Sequence, residues 1–443
     1  MKKLVQIFAF MIGGFICLKS YSQNSLYFMD NLPQRIYSNP AFVPEVKVYF
    51  NLPLVSHLQT DAYNSGFNMN QLNDFIDLLG NPKSNTEEFL NRIGDQNLST
   101  AETRINFLDI GFKLKDKGFI SFSLSQRNSF SLVAPSEMIY LLTNYDQIQE
   151  KLPLEIKRMN VRLNTFSQLA VTFSHRINKS ISLGFSPKLT GGIIGLQSND
   201  LDVRLTNDIV ADGYGNYYAN KEYYSGEAMI GLPVPVNRSA INSNGEFDSN
   251  EPVLPEDWKF KFSKLFENPG FAFDVGLNYD INQKWSLSAS LIDVGHTKWK
   301  RNGYQFALQD TVYKIAQDQS FKMDIPIKLY LAGSYNFSSK WNTGLVIRNI
   351  FHEYETYTSS TLSLNGYVFR MLSTTVSYTK AHTFNTFGGG IRFRFFPGMD
   401  LYAVTDNLNH IIKIQEARHI NIALGINMAF GLKREKIIQS DEV

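Results

Sequence analysis

Residues 420–430 read INIALGINMAF, and residues 271–279 read FAFDVGLNY. In the first stretch, every even position from Ile420 to Phe430 carries a large apolar side chain, and Asn, Ala and Gly stand between them. The second stretch alternates in the same way, with Asp274 among its small or polar partners. Alternation sustained over about ten residues predicts a β-strand with one large apolar face and one small, polar face.

The same alternation recurs along the chain. It is long in residues 325–337 and 387–395, and shorter in residues 119–125, 169–174, 181–186 and 372–378. A tilted strand of about 9–11 residues crosses a bilayer, and outer-membrane barrels turn the large apolar face to lipid and the small face to the lumen. The sequence therefore predicts an all-β fold, a transmembrane antiparallel β-barrel of about 14 strands. The alternative is a soluble β-sandwich or propeller, whose strands are usually shorter.

Four charged side chains stand on the small, polar faces of these stretches: Asp274, Lys328, Arg392 and Arg394. A charged side chain is destabilising on the lipid face of a barrel, whereas a polar lumen accepts it. We therefore expect all four side chains to face the lumen.

Composition narrows the classes of function. The 443-residue chain is 43% hydrophobic, 14% aromatic and 19% charged, with a net charge of +2. After residue 22, no apolar run approaches the roughly 20 residues that a membrane-spanning helix needs, so strands must do any spanning. So small a net charge implies no field that would attract nucleic acid, and we expect no nucleic-acid partner.

Residues 1–22 have the organisation of a secretory signal peptide. Two lysines precede the apolar run LVQIFAFMIGGFICL, and small residues follow it at a cleavage site before Gln23. The alternative, a membrane anchor, is disfavoured because the run is short. The only cysteine, Cys17, lies in this segment, so we expect no disulfide or thiol chemistry in the mature chain. We expect the protein in the outer membrane, reached through the secretion translocon and the barrel-insertion machinery.

The connections between strands are predicted to differ at the two ends of the barrel. Short polar turns are predicted at Asp280–Lys284, Asn336–Lys340 and Asn178–Ser180, with aromatic residues beside them as an interfacial girdle. Long loops are predicted at residues 126–160, 191–268 and 296–322. Apolar residues at helical spacing predict a few short loop helices, near residues 72–79, 86–93 and 135–150.

No pattern typical of catalysis, a metal or a cofactor is complete in the chain. His352 and Glu353 begin the sequence HEYE, which resembles half of a zinc motif but lacks the second histidine. Residues 242–251 place oxygen-bearing side chains around a glycine, but their spacing differs from that of a calcium loop, and a solvated loop is the plainer interpretation. We therefore expect no enzyme, no metal and no cofactor.

Five stretches carry a resemblance to known proteins: SLYFMDNLPQRIYSNPAFVPE (25–45), FLDIGFKLKDKGFISFSLSQR (107–127), LAVTFSHRINKSISLGFSPKLTGG (169–192), LSASLIDVGHTKW (287–299) and LYAVTDNL (401–408). Together they resemble an uncharacterised, domain-of-unknown-function family of outer-membrane barrels, over residues 25–431. More remotely, the chain resembles the FadL-like superfamily of long-chain fatty-acid transporters, which includes a barrel of type nine secretion. In those channels an early Asn-Pro-Ala lies in a plug inside the barrel, so the resemblance implies a plug position for Asn39, Pro40 and Ala41.

Residues 37–46, YSNPAFVPEV, precede the first predicted strand and show no periodicity. Pro40 and Pro44 cannot take part in regular strand pairing at their positions. Irregular backbone cannot face lipid, whereas a polar lumen can satisfy its hydrogen bonds. We therefore predict a luminal plug that includes Asn39, Pro40, Ala41 and Phe42. The alternative is a disordered periplasmic leader.

The predicted order along the chain has four parts. A signal peptide (1–22) is followed by the plug or leader (23–44), the barrel (45–431) and a charged C-terminal tail (432–443).

Two main functions fit this architecture. The first is passive transport of hydrophobic or amphipathic small molecules through an apolar pocket in the long loops, formed by residues such as Tyr223, Tyr224, Leu232, Val234 and Val236. The second is docking of secreted proteins or envelope partners by a barrel with a sealed lumen, as in type nine secretion. A purely structural role is a third. Outer-membrane lipid is a partner in each case.

Overall fold

The computed structural model describes most of the chain between residues 24 and 431. The described residues are 24–30, 32–51, 57–66, 68, 70–71, 73–74, 91, 94–115, 117–143, 153–206, 210–211, 217–218, 221–236, 264–310, 312–353, 356–369, 371–381, 385–396, 398–409 and 413–431. The predicted signal peptide, the calcium-loop-like residues 242–251, the predicted helix at 86–93 and the C-terminal tail therefore lie outside the described residues or almost entirely so. Most of the predicted helix at 72–79 also lies outside them.

Strands dominate the described residues. They are β1 Val48–Asn51, β2 Leu58–Asn64, β3 Gln96–Leu114, β4 Gly118–Pro135, β5 Leu154–Arg176, β6 Ile181–Thr206, β7 Val210–Ala211, β8 Tyr217–Tyr218, β9 Lys221–Gly231, β10 Pro269–Asp280, β11 Trp285–Trp299, β12 Gly303–Asp310, β13 Val312–Ala316, β14 Phe321–Asp324, β15 Ile327–Asn336, β16 Trp341–Phe351, β17 Thr356–Phe369, β18 Leu372–Ala381, β19 Asn385–Phe396, β20 Met399–Thr405 and β21 His419–Phe430. An α-helix, α1, spans Ser136–Thr143, and 3₁₀ helices span Ser25–Phe28, Pro33–Tyr37 and Ile414–Glu416. Helix α1 lies within the predicted helical stretch at 135–150. Within the described residues, no helix has the length and apolarity needed to cross a membrane.

Antiparallel pairing closes the main sheet into a ring. The order runs β3, β4, β5, β6, β10, β11, β15, β16, β17, β18, β19, β20 and β21, and β1 and β2 each pair with both β21 and β3. The predicted antiparallel all-β fold is confirmed. Within the described residues the sheet contains 19 strands, so the predicted count of about 14 is not confirmed. Strands β1 and β2 share one position in the ring, and β9, β12, β13 and β14 extend the sheet at one end.

Several strands extend far beyond the length that crosses a bilayer. Strands β5 and β6 contain 23 and 26 residues, against the roughly 10 that span a membrane. Strand β6 pairs with β10 from Ile181 to Gly191 and then changes partner to β9 from Gly195 to Thr206. The predicted long loops at 126–160, 191–268 and 296–322 are therefore wrong in part, because parts of β4, β5, β6, β9 and β11–β14 lie within them. In this part of β6, Leu201, Val203 and Leu205 alternate with polar residues over only five positions, so the run is too short to match the membrane-length alternation on which the prediction rests.

The predicted short turns are confirmed at the other end of the barrel. Each one caps its own backbone with a side chain. Asn178 Oδ1 accepts the N–H groups of Ser180 and Ile181, and Asn282 Oδ1 and Ser338 Oγ do the same in their turns. Such local bonds favour tight turns over longer loops. We call this side of the barrel the short-turn end and the opposite side the long-loop end.

The two faces of the wall have opposite chemistry. In β17, Leu362 and Leu364 are 55% and 44% exposed, whereas Thr361 and Ser363 between and beside them are 0% and 2% exposed. Large apolar side chains are exposed in this way around the ring, for example Phe173, Leu183, Leu277, Leu331, Val376, Phe387 and Leu401. The wall therefore has an apolar outer face and a small, polar inner face.

Candidate functional site in the barrel interior

Residues 24–47, the N-terminal segment, lie inside the barrel toward its short-turn end. Three apolar clusters join the segment to the wall. Leu26, Met29 and Leu32 pack on Tyr402, Val404 and Ala423; Tyr27 and Phe28 pack on Ile292, Tyr330 and Val346; and Ile36 and Val46 pack on Tyr49, Phe119 and Ala429. These wall residues come from strands on several sides of the ring, so the segment contacts the inner wall on several sides at this level.

The start of this segment is held by Asp406, which follows β20. The Asp406 carboxylate accepts the backbone N–H groups of Asn24 at 3.1 Å and Ser25 at 2.8 Å. Asn24 Nδ2 donates to Thr361 Oγ1 at 2.9 Å, and the hydroxyl oxygens of Ser25 and Ser377 lie 2.6 Å apart. All of these groups are buried, so the segment has one defined position at its first described residues.

The predicted plug residues lie where the segment turns against β10 and β11. Asn39 Oδ1 accepts the Ala41 N–H at 2.9 Å, and Asn39 Nδ2 donates to the Leu277 carbonyl oxygen at 3.2 Å. Pro40 and Ala41 are buried. The Phe42 ring packs edge-on to the Tyr27 ring at 5.1 Å, and the Arg35 guanidinium lies 4.0 Å above it.

Burial changes the protonation equilibrium of Tyr27 in the segment. It raises the pKa of Tyr27 above its ordinary value, although hydrogen bonds to Ser288 and Asn39 act in the opposite direction. The neutral phenol is therefore retained, and its oxygen lies 2.9 Å from Ser288 Oγ.

Two glycines make room for this turn. Gly184 in β6 and Gly276 in β10 are directly paired, and the segment passes over both. A Cβ atom at Gly184 would lie 2.0 Å from the carbonyl carbon of Pro40, and one at Gly276 would lie 2.1 Å from Asn39 Oδ1. Such distances are far inside van der Waals contact. The small face of the wall is therefore shaped to the segment.

We expect Gly276→Val to displace the N-terminal segment, because backbone and a buried amide cannot move aside locally. Trypsin should then cut at Arg35 in the folded barrel, whereas the parent chain should resist. Gly333→Val is the matched control, since a Cβ there would meet only the flexible end of Leu287 at 3.4 Å. Equal resistance of Gly276→Val and Gly333→Val would contradict the packing described here.

Above the segment, an ion cluster crosses the lumen, formed by Glu102, Arg127, Lys188, Asp274, Asp293 and Lys328. Asp293 accepts two hydrogen bonds from Arg127, at 2.7 and 2.9 Å, and lies 2.6 Å from Lys188 Nζ. Lys328 Nζ lies 2.6 Å from Glu102 and 3.3 Å from Asp293, and Lys188 lies 2.5 Å from Asp274. The structure thus places the predicted Asp274 and Lys328 in one buried cluster.

Arg392 and Arg394, the other two predicted residues, lie elsewhere on the inner wall. Arg392 Nη2 donates to Asp400 Oδ2 at 2.8 Å, and Arg394 Nε donates to Asp400 Oδ1 at 2.7 Å. The sequence prediction did not include Asp400, Asp293 or Arg127. Only the inward register of Asp400 in β20, directly opposite Arg394, could have indicated a pair.

Opposite sides of the wall also touch nearer the long-loop end. Arg348 of β16 pairs with Asp61 of β2 at 3.3 Å, and the rings of Tyr63 and Tyr357 are 5.2 Å apart. Arg162 of β5 pairs with Glu353, which follows β16. These contacts bring the two walls together across the described part of the lumen.

A cavity of about 430 Å³, which we call the side cavity, lies beside these contacts. Its lining is contributed by β4, β5, β11, β14, β15 and the end of β16: Ser129, Ser131, Arg162, Asn164, Gly295, His296, Met323, Asp324, Ile325, Pro326, Ile327, Phe351, His352 and Glu353. No three His, Cys, Asp or Glu side chains of the described residues form a group that could hold a metal ion.

The apolar pocket predicted in the long loops is not at the side cavity. Leu232, Val234 and Val236 follow β9 and do not line it. Val236 N donates to the Tyr304 hydroxyl at 2.8 Å instead. The side chains of Tyr223 and Tyr224 lie outside the described residues. The residues that do line the cavity include His352 and Glu353 of the incomplete zinc motif. The sequence signal that could have indicated the cavity was Pro326, which interrupts the strand pattern.

A family model with the description "Family of unknown function (DUF5723)" matches residues 40–318 and 310–406. The chain belongs to this family. The predicted membership of an uncharacterised family is confirmed, and the matched residues cover most of the described DUF5723 barrel. No curated protein matches the chain.

Solved structures with the same broad shape are distant from this DUF5723 chain. The toluene transporter TodX of Pseudomonas putida aligns with 92% of this chain and 93% of its own, at 11% identity and a TM-score of 0.39. A FadL homologue of Pseudomonas aeruginosa aligns with 90% of this chain and 92% of its own, at 11% identity and 0.44. The translocator domain of the autotransporter NalP from Neisseria meningitidis aligns with 84% and 96%, at 8% identity and 0.35. At these values the likenesses carry no conclusion on function.

Proposed function

We propose that this protein is an outer-membrane barrel through which small hydrophobic or amphipathic molecules pass passively, with the side cavity as their binding site. The observation that carries the proposal is that the side cavity is lined both by Ser131, on the inner face of β4, and by Phe351, on the outer face of β16.

The outer face of the ring is suited to lipid. Exposed Leu, Phe, Val and Ile side chains cover it, which would be an aggregation surface in water. Exposed aromatic residues stand beside the short turns, among them Tyr279, Trp285 and Phe337, and the rings of Trp285 and Tyr335 lie 4.6 Å apart. Aromatic girdles of this kind mark the interface of membrane barrels.

The side cavity lies where the wall is irregular. Strand β11 pairs with β14 up to Asp324 and with β15 from Lys328 onward, and between these ladders Gly295 has a φ of 158°. Phe351, at 43% exposure, belongs to the outer face of β16 and yet lines the cavity together with the inward-facing Ser131. A molecule in this cavity would therefore contact both the lumen and the lipid side.

In this proposal, the N-terminal segment blocks the direct path through the barrel. It closes the lumen at the short-turn end, so a molecule that entered the side cavity could not continue straight through the barrel. Passage would require the segment or the contacts around it to move. The proposed transport is therefore passive but does not use a permanently open pore.

Ser131→Phe tests this function, because a phenyl ring at this position would fill the side cavity from the inner wall. The parent protein should carry the neutral dye 1-N-phenylnaphthylamine into vesicles with a lipopolysaccharide outer leaflet, and Ser131→Phe should lower the rate to that of protein-free vesicles. Ser225→Phe, the same exchange at an exposed position of β9, should transport normally. If vesicles with the parent protein took up the dye no faster than protein-free vesicles, the proposal would be refuted.

A second candidate, docking of a secreted or envelope protein, is favoured by a different observation. Contacts across the lumen narrow the barrel, and β5, β6, β9, β12 and β13 form a strand-paired surface that projects beyond it. A stable envelope partner that co-purifies with a barrel inactive in dye transport would favour docking.

A further inference from the structure

The side cavity has two unlike walls. Ser129 and Ser131 of β4 and Asn164 of β5 form a hydrogen-bonding wall. Met323, Ile325 and Phe351 form an apolar wall on the other side. Its volume of about 430 Å³ falls within the roughly 300–1,000 Å³ typical of ligand pockets. A small molecule with an apolar body and one polar end would satisfy both walls.

The charges around the cavity are unequal. Among the described lining residues, Arg162 carries the only guanidinium, and it already pairs with Glu353 across the lumen. Asp324 adds a second carboxylate to the lining. Burial lowers the pKa of His352, so this imidazole adds no positive charge at neutral pH. The formal balance of the lining is one positive charge against two negative charges.

We infer that the side cavity selects neutral and cationic amphiphiles over anionic ones with the same apolar body. This inference rests on the proposed transport function and specifies its substrate class. An anionic head group would have to enter beside the carboxylates of Glu353 and Asp324, which would repel it. An amine would be attracted by the same carboxylates. A hydroxyl would bond to Ser129 or Ser131.

Three probes with one apolar body test the inference: 4-phenylbutylamine, 4-phenyl-1-butanol and 4-phenylbutyrate. Their uptake is measured into vesicles with a lipopolysaccharide outer leaflet, with the protein-free rate subtracted. All three uptakes are measured at pH 8. We expect the amine and the alcohol to enter at least about tenfold faster than the carboxylate, which corresponds to like-charge repulsion of modest size.

Charge variants provide the matched comparison. Glu353→Gln with Asp324→Asn leaves Arg162 alone and should reverse the order of amine and carboxylate, whereas Arg162→Gln should increase the preference for the amine. Heat-modifiable migration on gels verifies that each variant forms the barrel. The inference would be overturned if the variants left the uptake rates of all three probes unchanged, or if the parent protein took up the carboxylate fastest. Either result would still agree with the proposed transport function. Absence of uptake of every probe would overturn both.

Discussion

Removal of residues 24–42 is expected to open the short-turn end of the lumen, which leaves the ion cluster and the contacts nearer the long-loop end as the remaining constrictions. These residues occupy the lumen at the short-turn end, and the inner wall around them is polar, so water would take their place. Ion conductance in planar bilayers should rise by about an order of magnitude or more, as expected when a wide barrel loses its filling. The deletion should leave the strands intact, because the ring of strand pairs begins at Val48.

The control for this deletion is an engineered disulfide that joins the N-terminal segment to the wall. The hydroxyl oxygens of Ser25 and Ser377 are 2.6 Å apart, close to the reach of an S–S bond of about 2.0 Å. Ser25→Cys with Ser377→Cys should cross-link in intact membranes and keep the conductance low. Ser25→Cys with Ser334→Cys, on another part of the wall, should not cross-link. An unchanged conductance after the deletion would contradict the plug and favour a disordered leader.

Asp293→Asn is expected to cause the largest loss of stability among single substitutions of the inner wall. Asp293 contacts Arg127, Lys188 and Lys328, and all four side chains are buried. Removing one partner of a buried ion pair typically costs about 3–5 kcal/mol, because the remaining charges stay buried without compensation. Asn suits the test since Asp293 has a φ of 65°, a region that Asn tolerates well.

The measurement is the free energy of unfolding in urea, with the protein folded into lipid vesicles. Glu155→Gln is the control: Glu155 pairs with Lys157 in the exposed part of β5, and its loss should produce no resolvable change. If Asp293→Asn were as stable as Glu155→Gln, the ion cluster would not stabilise the barrel.

Strands with a membrane-type outer face were predictable from the sequence because alternation is a local signal. Each of Phe271, Val275 and Leu277 can be assigned to one face from its immediate neighbours. The prediction that Asp274 and Lys328 point inward needed nothing more than this register. The short turns were predictable for the same reason, since Asn282 bonds residues only two and three positions away.

The interior could not be predicted in the same way, because its contacts join residues that are far apart in sequence. Lys328 meets Glu102 across 226 positions, and Asn24 meets Asp406 across 382. No local pattern identifies such partners. The side cavity was missed because it depends on where β14 gives way to β15. The extended ends of β5 and β6 were missed because their apolar alternation, such as Leu201, Val203 and Leu205, is too short to indicate a membrane-length strand.

The account depends most on the closed barrel with its apolar face toward lipid and its polar face inward. Single cysteines at positions 359–366 of β17, labelled with a nitroxide in a chain from which Cys17 has been removed, test it directly. Oxygen, which concentrates in lipid, should broaden the signals at positions 362 and 364 strongly and those at 361 and 363 weakly. Equal accessibility at neighbouring positions, or strong broadening of all of them by a water-soluble nickel chelate, would contradict the account.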